Sequence, residues 1–352
     1  MQEDSAPLPL LDISPFLADP TSEAAIRFVT QLTQACREPG FCYLKGHGID
    51  PELERKASDA ARKFFALPEQ TRRNLEIANS PHFRGYTILG DERTQGISDW
   101  RDQLDVGPED DAPELSPDDP PWLRLRGPNQ WPEQVPEMAP ATLNWMAALE
   151  QLGLGVVRAL ALGLGQDISA FDGHVQPGPD VHVKIIRYPA QSADQDTGQG
   201  VGLHHDSGLL SFILQDDQSG LQVQTQQGMV AATPIPGTYV MNLGQMMQAA
   251  SNGYLRATPH RVESPPSGKE RLSLAYFFNP RLEAVFAPVE LPKRLQQELA
   301  EGTGEMDAPL SNDPVFATFG DNTLKIRLRA HPDVAAKHYS DMDSQPQGLQ
   351  RS

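Results

Sequence analysis

Apolar residues recur at helical spacing in the first half of the chain and in short strand-like runs in the second. Ile26, Val29 and Leu32 share one face of a helix predicted over 22–37, with Thr21 or Ser22 placed to cap its first turn. Residues 40–45 (GFCYLK) predict a short strand. Asp50 precedes Pro51, and Leu53, Ala57, Ala60 and Phe64 then fall on one face before Pro68. That order predicts a capped helix with proline at its first position, where no amide hydrogen is needed. A longer helix is predicted from about 141 to 162. From 181 onward the apolar runs are short, β-branched and punctuated by Gly, Pro, Asp and Asn. They predict strands near 181–188, 209–215, 220–224, 238–243, 257–262 and 272–278, with helix again over 291–300. Strands so closely spaced predict a sandwich or barrel. Residues 107–140, rich in proline and acidic side chains, read as a surface excursion, and the polar tail after Tyr339 reads as loose.

Charge narrows the partners. The 352 residues carry 29 Lys+Arg against 47 Asp+Glu, a formal charge of −18. Phosphate binding needs clustered cations, so a nucleic-acid partner is not expected, nor docking on an anionic membrane. A small-molecule substrate fits this balance. Two cysteines, Cys36 and Cys42, make no disulfide framework for a chain of this length, which points to a reducing compartment. The opening MQEDSAPLPLLDI lacks a basic stretch followed by an apolar one, so no secretory signal is expected. The apolar stretch 152–165 is broken by glycines and Arg158 and is too short for a bilayer. Together these features predict a cytoplasmic protein. They leave its oligomeric state open, and a monomer is compatible with them.

The chemistry gathers in residues 200–273. In GLHHDSGLLSFIL (202–214), His204 and Asp206 are two apart, so on a strand both face the same side. His260 in ATPHRV (257–262) offers a second imidazole. Two histidines and one carboxylate make the facial triad of Fe(II) oxygenases, which leaves coordination positions open for a co-substrate and O2. An isolated His-x-Asp pair is weak evidence, and nine histidines offer other combinations. His205 competes but faces away from its neighbours. His47, His82, His174, His182, His331 and His338 read as structural or exposed. In KERLSL (269–274), Arg271 and Ser273 also share a strand face, a pairing suited to a carboxylate. Taken alone, Arg271 fits a surface ion pair as well.

An ordered series of motifs then resembles the isopenicillin N synthase-like 2-oxoglutarate/Fe(II) dioxygenases. The series comprises GFCYLKGHGI (40–49), FRGYTILGDE (83–92), SDWRDQLDVGPE (98–109) and RYP (187–189). It continues with GVGLHHDSGLLSFILQDDQSGLQV (200–223), PIPGTYVMNLGQMMQAASNG (234–253), TPHRV (258–262) and KERLSLAYFFNP (269–280). The likeness runs from about Leu8 to Phe286 and is weaker over 110–140. It implies an α+β fold, mostly β with flanking helices, built on a double-stranded β-helix (jelly roll). The implied regions are 8–120, an N-terminal dioxygenase region; 178–285, the catalytic jelly roll; and 286–352, a C-terminal helix and tail.

The resemblance implies that His204, Asp206 and His260 bind Fe(II) and are the catalytic ligands. Arg271 and Ser273 then grip the far carboxylate of 2-oxoglutarate, and Tyr188 donates to the same co-substrate. Phe277 matches a family position that can stack on substrate, with a core aromatic as the equal alternative. Phe83, Arg84 and Tyr86 lie in a stretch that lines the pocket in relatives, and Arg84 would suit a substrate carboxylate. Three positions depart from the family pattern. Ile186 stands where some members carry Asn, Gln245 where many carry Asp, and His205 where Thr is frequent. The implied reaction couples oxidation of a small molecule, by hydroxylation or desaturation, to decarboxylation of 2-oxoglutarate with O2, yielding succinate and CO2. Two alternatives are an oxidase of the same fold that does without 2-oxoglutarate, and a non-catalytic jelly-roll binding protein.

Overall fold

The computed structural model describes residues 8–192, 199–285, 287–301 and 318–342. Its strands are β1 (Leu10–Asp12), β2 (Phe41–Lys45), β3 (Gly85–Thr87), β4 (Arg93–Thr94), β5 (Ile97–Ser98), β6 (Asp102–Val106) and β7 (Val181–Tyr188). They continue as β8 (Gln199–His204), β9 (Leu210–Gln215), β10 (Leu221–Thr225), β11 (Gly228–Ala231), β12 (Tyr239–Leu243), β13 (His260–Glu263) and β14 (Arg271–Phe278). One sheet orders them β1-β2-β12-β9-β14-β7-β6-β3, and a second β11-β10-β13-β8. The four central strands of the first sheet and the four of the second make an eight-stranded jelly roll. β1, β2, β3 and β6, from the N-terminal region, extend the first sheet at both edges, so that region and the jelly roll share one sheet.

Alternation along three central strands sets the two faces of the large sheet. Leu272, Leu274, Tyr276 and Phe278 of β14, Val181, Val183 and Ile185 of β7, and Leu210 and Phe212 of β9 face one core, under the helices. Ile186, Tyr188, Ile213 and Ala275 face the other way, toward Val201, Leu221, Val223 and Val262 of the small sheet. A one-residue slip in register would exchange these faces, so the burial of both fixes it.

The helices cover the outer face. The helix Glu23–Arg37 starts where the Ser22 Oγ accepts from Ala25 N at 3.2 Å. Asp50 caps the helix Pro51–Ala66 by accepting from Glu52 N at 2.9 Å. The helix Met138–Gly163 is long and apolar enough for a bilayer, but it packs within the fold, with Trp145, Leu149, Val156, Val157 and Leu160 fully buried.

Several elements depart from the sequence reading. β6 (DQLDV) was hidden by its polarity, yet every residue in it is buried. Its carboxylates find partners inside: Asp102 accepts from Arg187 at 2.9 and 2.7 Å, and Asp105 accepts from His182 at 2.8 Å and lies 3.5 Å from Arg327. Residues 107–140 are not wholly a surface excursion, because Trp122, Leu125, Val135 and Met138 insert into the core. The C-terminal region holds more than one helix: Lys293–Glu301, Phe319–Ala330 and Pro332–His338. The end of the expected loose tail, residues 343–352, lies outside the described residues.

Candidate metal centre

β8 and β13 pair so that His204 and His260 are direct cross-strand partners. Adjacent strands therefore bring the two imidazoles together, with ring centroids 4.3 Å apart. The strand ends at His204, and Asp206 follows in the connection to β9. One oxygen of Asp206 lies 3.8 Å from each Nε2. Ligand atoms of the three residues fall within 4.8 Å of one another, and no other such group of His, Cys, Asp or Glu occurs among the described residues.

Each member is aimed by a second contact. The His204 Nδ1 meets Gly202 O at 2.9 Å, and the His260 Nδ1 meets Thr258 O at 3.1 Å. A carbonyl only accepts, so each Nδ1 carries the proton and each Nε2 keeps its lone pair for a metal. Phe41 packs edge-on against His260. The second Asp206 oxygen accepts from Ser211 Oγ at 2.5 Å and Asn242 Nδ2 at 2.7 Å, leaving the first for the imidazoles. Burial, and then His260, push the His204 imidazole down to about 3, so it stays neutral. Burial alone would raise the Asp206 carboxyl; the imidazoles and the Ser211 and Asn242 hydrogen bonds outweigh it and hold it below its ordinary value. Neutral imidazoles with an ionised carboxylate are the donor set a divalent metal takes.

The loop carrying Asp206 is clamped against the turn after β12. Gln245 N donates to Asp206 O at 2.8 Å, and Met246 N to Ser207 O at 3.2 Å. The approach requires glycine: a Cβ on Gly244 would lie 2.2 Å from Gly208 O. Ser211 and Asn242 were not singled out from the sequence. Asn242 lies inside a quoted motif, but only the pairing of β9 with β12 shows what it touches.

A cavity of about 540 Å³ opens between the sheets and is lined by all three residues. Arg271, Ser273, Tyr188, Ile186 and Phe277 also line it. Arg271 is 1% exposed, and among the described residues its hydrogen-bond partners are neutral: Gln218 O at 3.2 Å, Ser273 Oγ at 3.3 Å and Gln215 Oε1 at 3.1 Å. Its guanidinium lies over the Tyr188 ring, 4.9 Å from the centroid, because Arg271 and Tyr188 are register partners in β14 and β7. A buried cation with neutral partners is an anion receptor. His205, expected to face away, and Gln245 line this cavity too, and both also border a larger cleft of about 1740 Å³ among the helices that takes in none of the three converging residues.

Three residues expected at the substrate do not reach the cavity. Phe83 is fully buried in a left-handed turn (φ 55°), which sends its ring against His331 and Tyr339. Arg84 is buried against backbone, donating to His82 O at 3.0 Å and Leu125 O at 3.3 Å. Tyr86 donates to Asp102 at 2.7 Å and packs on Phe64. All three sit behind the wall, on β3 and the segment leading into it. The C-terminal helix Phe319–Ala330 instead supplies Phe319, Thr323, Ile326 and Arg327 to the lining, which sequence periodicity did not signal.

Residues 8–134 match a family model described as non-haem dioxygenase in morphine synthesis N-terminal, and residues 180–280 match that of the 2OG-Fe(II) oxygenase superfamily. The chain is 34% identical over 301 residues to a homoarginine-6-hydroxylase of Oryza sativa subsp. japonica, spanning 82% of this chain and 90% of that protein. It is 33% identical over 341 residues to a 2-oxoglutarate-dependent dioxygenase of Dothideomycetidae sp. (strain 11243), spanning 94% and 91%. The crystal structure of a full-length Neurospora crassa protein in complex with alpha-KG and 5-formyluracil superposes with a TM-score of 0.73 at 25% identity, covering 94% of this chain and 98% of that one.

Proposed function

We propose a division of labour within a chain that belongs to the 2OG-Fe(II) oxygenase superfamily and is a 2-oxoglutarate/Fe(II)-dependent dioxygenase. In it His204, Asp206 and His260 hold the Fe(II), and Arg271 with Ser273 and Tyr188 holds the far carboxylate of 2-oxoglutarate. The remaining cavity takes a small polar substrate, which is hydroxylated or desaturated. The names of the rice relative and of the Neurospora complex support a small polar substrate. The unpaired, buried thiols Cys36 and Cys42 support a reducing, cytoplasmic setting.

Bound Fe(II) supplies the O2 activation that couples decarboxylation of 2-oxoglutarate to oxidation of the substrate. The chain's own residues do the rest. Arg271 offers its guanidinium as the charge partner of a carboxylate, and the Tyr188 ring keeps it flat against the wall. Ile186, Ile213, Leu221, Val262 and Ala275 exclude water between that anchor and the metal ligands. Ser211 and Asn242 hold Asp206 at its working angle. Phe277 stands opposite Ser211 in the sheet, so its ring sits at the level of the metal ligands and offers an apolar face to substrate.

The observation that carries this reading is a buried arginine with neutral partners opening on the same cavity as the converging imidazoles and carboxylate. The test is an anaerobic titration of the Fe(II)-loaded protein with 2-oxoglutarate. Replacing Arg271 by Ala removes one partner of a buried charge pair. The expected loss is about 2–5 kcal/mol, a factor of roughly 30 to 5000 in affinity. Unchanged affinity would sink the co-substrate assignment.

A further inference from the structure

The part of the cavity away from Arg271 is ionic. Lys184 and His182 of β7 line it, with Asp180 just before that strand, Glu92 and Arg101 from the N-terminal region, and Arg327 from the C-terminal helix. Most of these charges satisfy one another. Glu92 accepts from Gln103 at 2.9 Å and stands 3.6 Å from Arg101 and 3.8 Å from Lys184. His182 gives its Nε2 proton to Asp105 at 2.8 Å.

Two opposite charges remain apart. The Asp180 carboxylate makes no hydrogen bond or ion pair with a described residue, although it lines the cavity. The Arg327 side chain reaches one Asp105 oxygen at 3.5 Å, the oxygen His182 already occupies, and makes no hydrogen bond among the described residues. Asp180 and Arg327 are too far apart to pair, yet they feel each other. Burial pushes the Asp180 carboxyl up to about 6, while Arg84 and then Arg327 pull it back. Half-desolvated groups of opposite sign that share a cavity without pairing gain most when a ligand bearing both complementary charges lies between them.

We propose that this end of the cavity is a receptor for an amino-acid zwitterion, whose carboxylate pairs with Arg327 and whose ammonium group pairs with Asp180. The proposal rests on the reading above, in which 2-oxoglutarate occupies the Arg271 end. It makes the substrate class an α-amino acid, presented to the metal by its side chain. An uncharged molecule of similar size leaves Asp180 desolvated without a partner and Arg327 with only its 3.5 Å contact to the shared Asp105 oxygen, so the site discriminates against it.

The Fe(II)- and 2-oxoglutarate-loaded protein is titrated anaerobically with the twenty common amino acids, L-homoarginine and thymine, which carries neither charge. The tightest amino acid is then compared with its Nα-acetyl and carboxamide derivatives. Each derivative is expected to bind about 30-fold or more weakly. Asp180→Asn should erase the preference for the free over the acetylated amine, and Arg327→Gln the preference for the carboxylate over the amide. A merely structural role for either residue would move neither preference. The proposal is overturned if no amino acid binds, if thymine binds as tightly as the best one, or if the unaltered protein ignores both blocked groups. A separate titration of the protein loaded with Fe(II) alone by 2-oxoglutarate separates the two readings. Intact co-substrate binding with amino acids ignored overturns the zwitterion receptor alone, and absent co-substrate binding overturns the Arg271 assignment beneath it.

Discussion

Replacing Asn242 by Ala tests whether the aim of Asp206 depends on the residues behind it. Asn242 is fully buried and donates to the Asp206 oxygen that faces away from the imidazoles, at 2.7 Å. A hydrogen bond to a charged group contributes about 1.5–3 kcal/mol, which predicts roughly a 10- to 150-fold loss of metal affinity. The usual cost of losing a partner behind a metal ligand, about 10–100-fold, agrees. The metal-free protein should respond differently. The Asn242 Oδ1 is buried without a hydrogen-bond partner among the described residues, so the substitution also removes an orphaned acceptor that costs about 1–3 kcal/mol. The two effects offset each other, and the metal-free Tm should shift by no more than a few degrees. At fixed metal concentration, a 100-fold rise in Kd removes about 2.7 kcal/mol of metal-induced stabilisation. Competition against a chromophoric chelator, with Mn(II) as an air-stable substitute, reads the affinity, and thermal scans with and without metal read the stability. Ser211→Ala should behave alike, since Ser211 donates to the same oxygen. Metal affinity within about twofold of the parent in both variants would show that Asp206 needs neither donor, and the account of the site would fail.

Gly244→Ala should abolish metal binding or folding altogether, because its Cβ would lie 2.2 Å from backbone that carries the Asp206 loop; a soluble variant with parental metal affinity refutes the clamp. pH acts through two other histidines. His182 and His331 are buried, and burial before any other cause holds both imidazoles below their ordinary value. The unfolded chain takes up protons there near pH 6.5, while the folded one takes them up only at lower pH. Stability should therefore fall as pH drops below about 6.5, by up to about 1.4 kcal/mol per pH unit for each. A Tm that stays level between pH 7.5 and 5 contradicts this.

Where the sequence reading held and where it failed has a common cause. Helix starts were legible because Ser22 and Asp50 act locally, on amides two or three residues away. Six strands of the jelly roll, β7, β9, β10, β12, β13 and β14, were legible because their apolar runs serve the two cores; β8 and β11, rich in Gly and polar residues, were not. β6 was not, because the partners that neutralise its carboxylates lie in β7, about eighty residues downstream. Phe83, Arg84 and Tyr86 were misplaced for the same reason: a motif gives their order along the chain, but the turn at Phe83 decides which side of the wall they occupy. The helices at 319–338 carry only modest apolar periodicity, and what holds them includes distant contacts such as Tyr339 Oη to Pro81 O at 2.7 Å.

By itself the sequence named the candidates for the chemistry: His204 and Asp206 two apart, His260 in its own motif, and Arg271 with Ser273 on one face. Spacing within a strand is a local property, and local geometry is written residue by residue. Only the tertiary structure decided that β8 and β13 pair with His204 against His260, that Ser211 and Asn242 turn Asp206 toward them, and that Asp180 and Arg327 share a cavity without touching. Those relations join residues far apart in the chain. They are fixed by sheet register and by the packing of two cores, which no single segment encodes.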